Sequence, residues 1–151
     1  MVRAAATAAA GFLLAVLWFD LMFDVQVRGH DPSGELPDGV VGSIAAYYRR
    51  VTTEARPMNR LIAAWMLVTV GAIVAQAVRA DVPRWVSAAS LVAAVVPIGL
   101  AGARTVPSAV RLGGRTDGPA DQTRLARRIY ADHRFCIASI AALLVVQLVF
   151  A

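Results

Sequence analysis

Lysine is absent from this chain: all 15 basic residues are arginine. Alongside heavy alanine use this reads as a coding bias, so no chemistry is drawn from it. A single cysteine, Cys136, excludes an intramolecular disulfide and a Cys-x-x-Cys redox pair. No Glu-x-x-His and no His-Glu-x-x-His occurs, so the ligand patterns of di-iron bundles and zinc proteases are missing. Nothing resembles a phosphate-binding glycine loop or a Ser–His–Asp nucleophile arrangement.

Apolar residues are abundant: they make up 58% of 151 positions, and the mean hydropathy is +0.61. That is one domain by length and a membrane protein by hydropathy. The isoelectric point of 10.6 suggests nucleic acid at first sight. Nucleic acid is excluded because the arginines cluster at the ends of apolar spans. Arg3 followed by an apolar run resembles a signal peptide. However, the apolar character continues through Trp18, Phe19, Leu21, Met22 and Phe23, and Ala8-Ala9-Ala10 lies too early to follow a hydrophobic region. The segment reads as a retained first span.

Four stretches suffice to cross a bilayer, which takes roughly 20 mostly apolar residues: about 4–27, 58–78, 85–103 and 129–151. The expected fold is all-α, a single integral membrane four-helix bundle over residues 1–151. Pro97 and Gly99-Leu100-Ala101-Gly102 in the third span fit a kink and a close-packing groove. Spans two and three are joined by a tight turn, residues 79–84. The first long connection, 28–57, opens with turn formers and becomes helical from about 40 to 56. There Val40, Ile44, Tyr48 and Val51 form one stripe opposite Arg49 and Arg50, which suits a short amphipathic helix on the membrane surface. The other long connection, 105–128, holds Gly113-Gly114 and Asp117-Gly118-Pro119, with the last helix starting early over 120–128.

Arg28, Arg49, Arg50, Arg56, Arg60, Arg104, Arg111, Arg115, Arg124, Arg127, Arg128 and Arg134 belong to the two long connections and their helix ends. Only Arg3, Arg79 and Arg84 belong to the other side. The asymmetry predicts a multi-pass protein of the inner or plasma membrane, with long connections cytoplasmic and both termini outside.

Asp20 and Asp24 interrupt the first span at spacing i, i+4, on one helix face. A carboxylate in hydrocarbon is costly and ordinarily faces the protein interior. The topology brings them level with Arg56, Asn59 and Arg60 at the start of span two, Arg104 at the end of span three, and Tyr130, Asp132, His133 and Arg134 at the start of span four. On the last helix His133, Cys136, Ile140 and Gln147 fall in a narrow arc at about 100° per residue. Asn59, Ile62, Met66, Thr69 and Gln76 form a broader stripe on the second. These stripes would line a cavity running in from the cytoplasmic mouth. The plainer alternative is that each aspartate pairs with Arg56, Arg60 or Arg104 and locks the bundle. Likewise His133 and Arg134 can sit at headgroup level, and Tyr47, Tyr48, Trp65 and Trp85 read as interfacial or packing aromatics. Asp20, Asp24 and His133, with Asp132 or His30, offer oxygen and nitrogen to a metal, but at no recognised spacing. The expectation is no metal and no cofactor.

Three segments carry a family resemblance: Tyr47-Tyr48-Arg49-Arg50 leading to Ala55-Arg56-Pro57; Arg104-Thr105-Val106-Pro107-Ser108 with Arg111-Leu112; and Arg127-Arg128-Ile129-Tyr130-Ala131-Asp132-His133-Arg134. In these, and in its four spans, the chain resembles the anthrone oxygenase-like family of small membrane proteins. Where that family's first span often carries a glutamate followed by His-Pro, here Asp24 is the nearest acid, followed by Val25-Gln26. The resemblance implies cofactor-independent oxygenation of a lipophilic substrate, such as a polycyclic aromatic ketone, by dioxygen. Its catalytic residues would be His133, Asp24, Asp20 and Arg134: a general base for the C–H proton, and positive charge for the enolate from Arg134, Arg56 or Arg60. Arg56, Asn59, Arg60, Arg104, Tyr130 and Met66 would bind the substrate. The alternative is a non-enzymatic small-molecule-binding or transport subunit; with so few helices, transport would need a homo-oligomer.

Overall fold

The computed structural model covers residues 1–151 and describes all of them except the side chain of Arg56. Among the described residues every regular element is helical. Helix α1 (Val2–Asp24) is alanine-rich and free of proline, a strong helix former. One 3₁₀ turn, Val25–Val27, follows it, and the chain leaves in extended conformation at Arg28. Gly29 then takes φ +82°, a left-handed conformation that costs glycine nothing. Helix α2 (Asp38–Arg49) runs on into a π-helical turn, Arg50–Glu54. Helix α3 (Arg56–Arg79) stops at a left-handed Ala80. Helix α4 (Arg84–Leu100) passes through a second π-helical turn, Ala101–Thr105, into α5 (Val106–Gly114). Helix α6 (Pro119–Val149) begins with Pro119, whose missing N–H is harmless in a first turn.

Four helical stretches are long and apolar enough to cross a membrane: Val2–Val27, Pro57–Arg79, Arg84–Gly114 and Pro119–Val149. The protein is an all-α membrane helical bundle. Helices α1, α3, α4 and α6 form a ring in which each packs against two neighbours. Arg3 reaches the Leu148 carbonyl, so both termini lie at one end, with the α3–α4 turn. Both long connections lie at the other.

The third and fourth stretches each hold 31 residues. At about 1.5 Å per residue each reaches about 46 Å, well beyond the roughly 30 Å hydrocarbon thickness. The surplus at the connection end is α5 and the first turns of α6. Helix α2 lays Val41, Ile44, Ala45 and Tyr48 against Ala109, Leu112, Leu125, Ala126 and Ile129. A second core thus stands beside the membrane bundle. The amphipathic face of α2 is covered by protein, not by lipid as its sequence alone suggests. The contact is tight: a Cβ on Gly113 would stand 2.8 Å from the backbone nitrogen of Arg49. Gly113-Gly114, which reads as a loop in the sequence, is helical, and the missing side chain at Gly113 permits that close approach.

Within the bundle, Leu13, Ile73, Ala94, Ile140 and Leu143 make a buried apolar layer. Beyond it, towards the termini, Gln76 and Gln147 exchange reciprocal amide hydrogen bonds (2.9 and 3.2 Å), and Gln147 also donates to Ser90 Oγ (2.9 Å). All three side chains are buried, and they tie α3, α4 and α6 together.

Candidate functional site

The i, i+4 spacing on α1 points both carboxylates inward: Asp24 is fully buried and Asp20 is 8% exposed. Helix α6 brings His133 against them. His133 Nδ1 lies 2.7 Å from Asp24 Oδ2, and Nε2 lies 3.8 Å from Asp20 Oδ2. Helix α2 closes the group from the connection side. Tyr48 donates its hydroxyl to Asp24 Oδ1 (2.6 Å), and Tyr47 donates to Asp20 Oδ1 (2.7 Å). The Tyr48 oxygen also stands 3.3 Å from His133 Nδ1. Stacking of Tyr47 on Phe23, with ring centroids 4.0 Å apart, fixes the direction of its hydroxyl. Burial first, and then the neighbouring aspartates, push both phenols above their ordinary range, so they remain donors.

A third buried carboxylate is held separately. Asp132 accepts hydrogen bonds at Oδ2 from Arg104 Nε (3.0 Å) and Thr105 Oγ1 (3.1 Å), and Arg104 Nη2 contacts Oδ1. Both donors belong to the π-helical turn. Such turns recur at functional sites, and this one locks α4 to α6 one residue from His133.

Asp20, Asp24 and His133 therefore meet. Met66 lines a small cavity beside His133. Arg104 is occupied by Asp132. Asn59 donates to the Thr52 carbonyl (2.9 Å), and Arg60 is exposed. Tyr130 and Arg134 lie on the outer face of α6, with the guanidinium 5.7 Å from the ring centroid. The backbone of Arg56 opens α3, and its side chain lies outside the described residues. Among the described residues, no three His, Cys, Asp or Glu side chains form a group suited to a metal ion.

Tyr47 and Tyr48 are the site residues that sequence reasoning missed. Their signal was present: two adjacent aromatics, one continuing the buried stripe Val41, Ile44, Ala45 on a helix that faces the aspartates.

The cavity is about 80 Å³ and draws its walls from all four bundle helices, including Leu13 and Leu17 (α1), Met66 (α3), Pro97 (α4), and His133 and Cys136 (α6). It is apolar except at His133 and Thr105. Its volume is below the roughly 300–1,000 Å³ of drug-sized ligand sites. It has room for a diatomic molecule or a few carbon atoms, not for a whole polycycle.

Fold and site together define a helical-bundle membrane protein with a buried Asp–His–Tyr network against a small apolar cavity. No protein-family model matches the chain, and no curated protein or solved structure matches it.

Proposed function

We propose that this protein is a membrane enzyme that removes a proton from an activated C–H group of a lipophilic substrate and lets the carbanion react with dioxygen. The observation that carries the reading is the buried 2.7 Å contact between His133 Nδ1 and Asp24, beside an apolar cavity that His133 lines. A carboxylate on Nδ1 holds the proton there and leaves the Nε2 lone pair as a base. Nε2 lies too far from Asp20 for a normal hydrogen bond, so it is not consumed by that carboxylate. Once Nε2 is protonated, the imidazolium sits between two carboxylates that stabilise it.

The carbanion is its own reductant. It passes one electron to dioxygen, the radical and superoxide combine, and the hydroperoxide loses water to leave a ketone. A methylene and O₂ thus become a carbonyl and H₂O, and no resident cofactor is needed. Of the arginines expected to face the enolate, Arg60 is exposed and Arg134 is on the outer face of α6. In this reading the charge opposite the enolate is the imidazolium itself.

The test is oxygen uptake by the detergent-purified protein with anthrone, an activated aromatic ketone. His133→Ala and Asp24→Asn should each slow uptake by about 10²–10⁴-fold, the usual size of a general-base contribution. Unchanged turnover in both variants removes those roles. A wild-type protein that neither consumes oxygen nor exchanges the substrate's methylene protons anaerobically removes the enzyme reading.

A structural latch is the competing account, favoured by the donors that Asp20 and Asp24 already possess. It predicts that the same variants lose stability without any turnover having been present. A transmembrane transport path is disfavoured by the apolar layer of Leu13, Ile73, Ile140 and Leu143 between the two polar clusters.

We also propose that the end carrying the long connections is cytoplasmic. Twelve of the 15 arginines belong to it.

A further inference from the structure

On the outer side of the α1–α6 seam, away from the aspartates, lies a groove of about 370 Å³. Two arginines stand at its connection end: Arg28, where α1 has ended, and Arg134 on α6. Both are exposed, and among the described residues neither has a carboxylate within salt-bridge distance. No acidic residue lines the groove. The rest of its wall is apolar or aromatic, chiefly Trp18, Met22 and Tyr130. Trp18 and Met22 are exposed by 64% and 58%, which in a bundle of this kind means contact with lipid. Arg134 lies over the Tyr130 ring, and this cation–π contact holds its guanidinium along the groove.

The dimensions match one class of ligand. From Trp18 the rest of α1 and its 3₁₀ turn rise roughly 15 Å to Val27, and Arg28 follows directly. That is half of a roughly 30 Å hydrocarbon core, the depth of one leaflet. A charged mouth, an apolar floor one leaflet deep and an open side to the bilayer fit a phosphate with an acyl chain below it.

We propose that the α1–α6 groove is a binding site for an anionic glycerophospholipid, its phosphate between Arg28 and Arg134 and an acyl chain along Met22 and Trp18. Two guanidiniums favour phosphate through charge-assisted hydrogen bonds. A zwitterionic lipid brings its own cation to the same place and gains less. The inference is independent of the oxygenation chemistry, because the groove shares no residue with the His133 cavity.

Native mass spectrometry of the detergent-purified full chain, titrated with phosphatidylglycerol or phosphatidylcholine of identical acyl chains, tests it. The wild type should bind the first phosphatidylglycerol at least tenfold more tightly than phosphatidylcholine. Arg28→Gln/Arg134→Gln should abolish the difference, and Arg124→Gln/Arg128→Gln, which removes equal charge elsewhere, should keep it. The charge-preserving pair Arg28→Lys/Arg134→Lys should also retain a preference, which covers the case in which the glutamine pair does not fold. Equal affinities in the wild type overturn the proposal, as does an undiminished preference in a folded Arg28→Gln/Arg134→Gln protein. Displacement of phosphatidylglycerol by millimolar inorganic phosphate overturns the lipid assignment in favour of a free-anion site.

Discussion

Tyr48 shows how one hydroxyl can satisfy a buried carboxyl group. Asp24 is fully enclosed, and its Oδ1 takes its hydrogen bond from Tyr48. Tyr48→Phe removes the donor but keeps the ring. The expected cost is about 1.5–3 kcal/mol, the range for hydrogen bonds to charged groups, read as reversible unfolding in denaturing detergent. Tyr47→Phe should cost less, because Asp20 is not fully enclosed. Titration supplies a second readout. Burial and the two aspartates hold both phenols above the ordinary tyrosine value of 10. A group whose folded pKa is raised stabilises the fold fully below its unfolded value and loses that contribution as pH rises towards its folded value. Stability should therefore begin to fall above about pH 10, the unperturbed tyrosine value. Phenolate absorbance from Tyr47 and Tyr48 should appear only with unfolding. A tyrosinate signal from both near pH 10 in the intact protein would contradict the buried network.

At the scale of elements, helix contacts depend on a glycine and on a pair of amides. Gly113→Ala places a methyl 2.8 Å from the Arg49 nitrogen, and backbone cannot swing aside as a side chain can. Overpacking of this kind typically costs 1–3 kcal/mol. Limited proteolysis should then cut within 28–57 faster than in the wild type. Gly114→Ala meets nothing within 4 Å and should be neutral or slightly stabilising. Between α3 and α6, Gln147→Leu strands the Gln76 amide and removes the donor to Ser90. It should cost about 1–3 kcal/mol, whereas Gln76→Leu/Gln147→Leu should recover much of that, since removing both partners is nearly neutral. A double variant no more stable than Gln147→Leu would show that the amides do not act as a pair.

These elements also show what the sequence conveys. Hydrophobic runs made the four-helix membrane bundle legible, because burial in lipid demands long apolar helices. The i, i+4 aspartates pointed to the inward face, and His133 to its partner helix. The small core of α2, α5 and α6 was not legible. Gly113-Gly114 has the composition of a loop, and only the approach of Arg49 reveals why this helix carries glycine at 113. The roles of Tyr47 and Tyr48 were hidden for a related reason. An aromatic at a helix surface reads the same whether its hydroxyl meets water or an aspartate, and the choice is made by a tertiary contact.

Over the whole molecule, charge is divided by end as polar chemistry is divided by depth. The termini and the α3–α4 turn share the arginine-poor end, with Arg3, Arg79 and Arg84. The other end carries the second core and the mouth of the Asp–His–Tyr network. Arginine excess near connections shorter than about 60 residues, as both long connections are, sets orientation because moving those charges across the membrane is costly during insertion. The expected orientation therefore puts the α2–α5–α6 core in the cytoplasm and both termini outside. Cys136 is buried, so single added cysteines report position with little background once Cys136 is replaced by serine. Ser33→Cys, in the first long connection, should resist a membrane-impermeant maleimide in intact spheroplasts and react after permeabilisation. Val82→Cys, in the α3–α4 turn, should react in intact spheroplasts. The reverse pattern would invert the bundle and put the phospholipid groove in the outer leaflet. Both cysteines reacting in intact spheroplasts would contradict a membrane-spanning bundle with its two ends on opposite sides.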